Sequence, residues 1–96
     1  MKIVINTCCG CFGVNEAWCE THGFDCDDED SLRESAELIS AIENGEDVNG
    51  YYAALDIVRI PDESTDYLIV TDDGYESIIY VVNGKIHRKY WWERKL

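Results

Sequence analysis

The stretch YESIIYVVNGKIHRKYWW, residues 75–92, decides the fold. Two β-rich runs flank Asn83-Gly84, and both central residues of a type I′ turn need positive φ, which Asn and Gly adopt at low cost. A two-residue loop then fixes the register: Val82 faces Lys85, Tyr80 faces His87 and Ile78 faces Lys89. One side of this hairpin gathers Tyr75, Ile79, Val81, Ile86, Tyr90 and Trp92, and that side is expected to meet the core. The other carries Glu76, Ile78, Tyr80, Val82, Lys85, His87, Lys89 and Trp91. On this assignment Ile78, Tyr80 and Trp91 would form an exposed patch suited to self-association.

Working outward, Asp72-Asp73-Gly74 forms a second tight turn, which joins the hairpin to a strand over residues 66–71. A further strand over residues 53–60 is closed by Pro61. At the other end of the chain, residues 2–6 (KIVIN) read as a short strand rich in β-branched residues. Between these lie two expected helices. Asn15 caps the first behind the staple residue Val14, Gly23 ends it, and Ala17, Trp18 and Thr21 share its inner face. Asp25 to Asp30 reads as a solvated loop. Ser31-Leu32-Arg33-Glu34 then matches a capping box, opening a helix whose stripe is Leu32, Ala36, Ile39 and Ile42 and whose stop is Gly45. The expected architecture is α+β, with two helices packed on a mainly antiparallel sheet in the order β-α-α-β-β-β-β. Ninety-six residues make one small acidic domain over residues 1–96, with no repeat or linker.

Charge narrows the function classes. The net charge is −12, unevenly spread: residues 1–84 carry nineteen acids against Lys2, Arg33 and Arg59, while residues 85–96 carry five basic residues against Glu93. Such a field repels nucleic acid and anionic lipid and favours a basic protein partner. No apolar run approaches a membrane span or a signal peptide, so a cytoplasmic location is expected. Five cysteines cannot pair completely within one chain, which leaves free thiols or a metal.

The stretches MKIVINTCCGCFGVNEAW, NGYYAALDIVRIPD, DYLIVTDDGYESI and HRKYWW together resemble a family of small bacteriophage and prophage proteins. Members begin with a strand and an Asn-x-Cys-Tyr-Gly-Gly-Phe-Gly-like stretch, and end with an acidic hairpin and His-Arg before Trp. The resemblance implies a phage or prophage origin and a small α+β fold, and carries no established activity with it. The chain departs from that pattern at Cys9 and Cys11, where an aromatic and a glycine are usual.

The cysteine-rich stretch admits three readings. Zinc would need four ligands, and Cys8, Cys11, Cys19 and His22 are the candidates. No Cys-x-x-Cys pair is present, however, and adjacent Cys8 and Cys9 point to opposite sides. An anion-cradling loop would use the backbone N–H groups around Gly10 and Gly13 before a helix. The Lys-Ser/Thr of a Walker loop is missing, and so is the third glycine of a dinucleotide loop, so no cofactor is expected. The plainest reading is a turn from strand to helix, with Gly10 and Gly13 supplying freedom, Cys8 and Cys19 serving as small apolar residues, and Phe12 packing under the sheet. Neither His22 nor His87 is held beside Cys9 or Cys11 by any spacing, so no catalytic residue is assigned.

Asp27, Asp28, Glu29, Asp30, Glu34 and Glu37 carry the functional expectation. The run lacks the central glycine of an EF-hand loop. It suits a negative surface presented to the groove of a basic protein, and the chain is expected to be a protein-binding module that inhibits a host nucleic-acid enzyme. The competing expectation is a metal- or small-anion-binding domain centred on residues 8–13.

Overall fold

The computed structural model describes residues 1–93; Arg94 and Lys95, counted above with the basic end, lie outside them. Strand β1 (Lys2–Asn6) is followed by helices α1 (Glu16–His22), α2 (Glu29–Arg33) and α3 (Ala36–Glu43). Strands β2 (Leu55–Arg59), β3 (Asp66–Asp72), β4 (Tyr75–Val82) and β5 (Lys85–Lys89) follow, then a 3-10 turn, Trp91–Glu93. The α+β class stands, with one helix more than expected.

The strands form two antiparallel sheets rather than one: a β1–β2 ribbon and a three-stranded sheet ordered β3-β4-β5. The ribbon is the middle layer. Val4, Leu55 and Ile57 pack toward the helices with Trp18, Leu32 and Leu38. Ile3, Ile5, Val58 and Ile60 point the other way, onto Ile78, Tyr67, Ile69 and Tyr80 of the second sheet. A strand covered on both sides reads as an unbroken apolar run, which is the character of Ile3-Val4-Ile5.

The hairpin register is as expected, with Val82 on Lys85, Tyr80 on His87 and Ile78 on Lys89. Its faces are reversed. Ile78 is fully buried, Glu76 is 3% exposed, and Tyr80 and Trp91 pack against the inner cluster, so the patch expected on these residues does not exist. Ile86 and Trp92, expected inside, are 76% and 57% exposed. Both rows of β4 are apolar, so hydrophobicity along the hairpin could not choose between them. The choice falls to the ribbon, which offers Ile3 and Ile5 to the row containing Ile78. The last strand, expected over residues 85–92, ends at Lys89 and gives way to the 3-10 turn.

In α1 the expected ends hold: the Asn15 side chain accepts from the Trp18 N–H, and Gly23 takes φ of 75°. The buried residues, however, are Trp18 and Cys19, while Ala17 and Thr21 face solvent. The second expected helix divides at Glu34-Ser35. Asp28 caps α2 and leaves Ser31 inside it, whereas Ser35 caps α3 by accepting from the Leu38 N–H. A Ser side chain bonding three residues ahead favours a fresh helix start over continuation. Leu38, Ile39 and Ala41 are consequently the buried residues of α3, and Ala36 is exposed. Glu29 and Asp30 belong to α2 rather than to a loop.

Candidate functional site

Three irregular segments meet at one end of the ribbon: residues 7–13, residues 49–54 and the Asp73-Gly74 turn. Asn6, which ends β1 and is fully buried, joins them. Its Nδ2 donates to the carbonyls of Gly74 at 2.7 Å and Cys8 at 3.0 Å, and its Oδ1 accepts from the Ala54 N–H at 2.9 Å. The approach is close enough to demand glycine. A Cβ on Gly10 would fall 1.7 Å from the Tyr52 carbonyl oxygen, and one on Gly74 would fall 1.8 Å from the Gly10 carbonyl oxygen. Gly10 therefore serves packing of backbone on backbone. Gly13 lies against Gly50, whose N–H donates to the Gly13 carbonyl at 2.9 Å.

Beside this junction Arg33 and Glu76 form a buried, two-pronged ion pair, with both contacts at 2.8 Å and side chains 3% and 4% exposed. Arg33 Nη1 also donates to the Val4 carbonyl at 2.9 Å, and the Asn6 N–H donates to Glu76 Oε1 at 2.7 Å. The guanidinium lies 4.0 Å above the centre of the Phe12 ring, so Phe12 packs on the helical side of the ribbon. Burial lowers the proton affinity of Arg33, but the carboxylates of Glu76 and Glu29 outweigh it and raise the guanidinium above its ordinary value. One side chain thus ties α2, β1 and β4 together. Sequence reading missed the pair. The available signal was a single Arg in an acidic helix and a single Glu in an apolar strand.

The structure does not gather the residues considered as zinc ligands. The Cys8 thiol donates to the Tyr52 carbonyl at 2.7 Å, Cys11 is exposed, and Cys19 is buried on the inner side of α1. His22 stacks on Trp18 at 4.2 Å and lies 3.4 Å from the Glu37 carboxylate. Among the described residues no group of three or more His, Cys, Asp or Glu could hold a metal ion. All five cysteines are free thiols, and burial together with neighbouring Cys26 pushes the Cys19 thiol up to about 12.

The acidic residues do form a surface. Asp27, Asp28, Glu29, Asp30, Glu34 and Glu37 are all exposed. Several keep local roles: Glu34 accepts from the Tyr67 hydroxyl at 2.7 Å, and Asp28 caps α2. Residues 25–47 hold ten carboxylates, every one exposed, and the single basic residue among them, Arg33, is turned inward. Lys2 reaches across to Glu43 at 2.7 Å. The helical side is therefore a largely uncompensated negative surface carried on short, capped helices.

The opposite side differs in kind. The outward face of the three-stranded sheet bears Leu68, Val70, Ile79, Val81 and Ile86, with Leu68 63% exposed. No helix of the described residues is long and apolar enough to cross a membrane. Comparison of the chain with family models, curated proteins and solved structures finds no match.

Proposed function

We propose that the protein is a binding module for a basic protein, acting as an acidic plug for a groove that would otherwise hold nucleic acid. The observation that carries this reading is the inward turn of Arg33. By pairing with Glu76 the one basic residue of residues 25–47 turns inward, where Glu29 alone of that span's acids reaches it among the described residues, at 3.4 Å, and ten carboxylates stay exposed. A field of one sign speeds encounter with the opposite sign and excludes like-charged competitors. On the outward face of the β3-β4-β5 sheet Leu68 and Ile86 are 63% and 76% exposed, and these apolar side chains offer a second area of contact. In this reading the chain acts in a reducing cytoplasm, such as that of a phage host, where its cysteines stay as thiols.

The test is capture from bacterial lysate on the immobilised chain, between about 50 and 200 mM salt. Basic nucleic-acid-binding proteins are expected to be retained at the low end, released at the high end and displaced by duplex DNA. A variant carrying D27N, D28N, E29Q, D30N, E34Q and E37Q keeps cap-competent side chains and should lose most of this capture. Retention that ignores salt, or equal retention by the neutralised variant, would sink the reading.

A further inference from the structure

The β4–β5 hairpin and the following 3-10 turn enclose a second feature, on the sheet face turned away from the ribbon. It is a pocket of about 180 Å³ whose lining includes the rings of Tyr75, Tyr90, Trp91 and Trp92 together with Asp72, Asp73 and Arg88, and in it Tyr75 packs on Trp91 at 4.8 Å. The rings stand in two orientations: Tyr90 stacks on Trp92 at 4.4 Å, while Trp91 meets Trp92 edge-on at 87°. Trp92 is 57% exposed, so much of this residue stays in contact with solvent at the pocket. Among the described residues neither the Asp72 nor the Asp73 carboxylate has a hydrogen-bond or ion-pair partner. The Arg88 guanidinium lies 4.6 Å from the centre of the Tyr90 ring, so one cation already rests on this aromatic surface.

We propose that the pocket formed by Tyr75, Tyr90, Trp92, Asp72 and Asp73 receives the guanidinium of an arginine side chain from a protein partner. Aromatic faces attract cations through their quadrupole, and two unpartnered carboxylates outnumber the single charge of Arg88. Arginine fits better than lysine because its planar group stacks on a ring and forks toward carboxylates at once. Anionic ligands are disfavoured by the same two acids and by the overall charge of the chain. The inference rests on the reading of a basic partner but uses a different face from residues 25–47.

The test uses the full chain and two peptides, acetyl-Gly-Arg-Gly-amide and its citrulline counterpart, which keeps the shape and drops the charge. Tryptophan fluorescence and the indole N–H signals of Trp91 and Trp92 report binding, with Trp18 as internal control. Saturable change is expected with the arginine peptide and far less with the citrulline peptide. Trp92→Ala should weaken the response roughly two- to fivefold, the range for an exposed cation–π contact. The D72N/D73N variant, which keeps residues tolerant of the turn, should weaken it too, and Arg88→Ala should strengthen it by removing the resident cation. Equal response to both peptides, no saturable response to the arginine peptide, or loss of response in Arg88→Ala would overturn the proposal. Salt-sensitive capture that persists unchanged in Trp92→Ala would retain the proposed function and reject this pocket.

Discussion

At the residue scale the central contact is Arg33 on Glu76. Removing one partner of a buried, two-pronged pair leaves the other charge stranded, so Glu76→Ala should destabilise the protein by about 3–5 kcal/mol, measured by urea unfolding. The double variant R33M/E76L removes both charges and should recover much of that loss. Cys19 gives a second prediction. Its thiol is held up to about 12 by burial first and Cys26 second, whereas the unfolded thiol titrates near its ordinary value. Above that ordinary value the folded state binds the proton that the unfolded state has lost, so stability falls as pH rises from about 9 toward 12. Cys19→Ala should flatten this alkaline slope in thermal melts taken across that window. Residues such as Asn6, Arg33 and Glu76 were not legible in the sequence, because polarity alone points to the surface and the contacts that bury them, Arg33 with Glu76 and Asn6 with Ala54, Gly74 and Glu76, span 43 or more residues.

At the element scale the hairpin shows where local pattern stops. Asn83-Gly84 set the register because turn chemistry acts within four residues, and Asn83 does take φ of 51°. Which face is covered depends on what arrives from the ribbon. Ile78→Ala should therefore cost about 2–5 kcal/mol, while Ile86→Ser should stay within about 0.5 kcal/mol, both read from denaturant midpoints. Equal costs would contradict the reversed faces. Glycines divide in the same way. Gly23→Ala meets no atom within 4 Å and should cost only the left-handed backbone, about 1–2 kcal/mol. Gly74→Ala adds a clash with the Gly10 carbonyl and should cost more. The split between α2 and α3 was hidden because Asp28, Ser31 and Ser35 all suit a cap, and the structure uses the first and the last of them.

At the scale of the whole molecule, charge separation matters most. Crowded carboxylates on the helical side repel one another, so added sodium chloride should raise the melting temperature by several degrees through screening. The variant neutralised at six acids should show a smaller rise. The chain alone determined its mixed class, its turns, the first helix with its caps, and the excess of acid over residues 25–47, because each follows from neighbours in sequence or from composition. Only the tertiary structure decided that the strands split into two sheets, that β1–β2 lies between two cores, and that Arg33 turns inward. The reason is physical: which side of a strand is buried, and whether a charge is solvated or paired, is set by the layer packed against it.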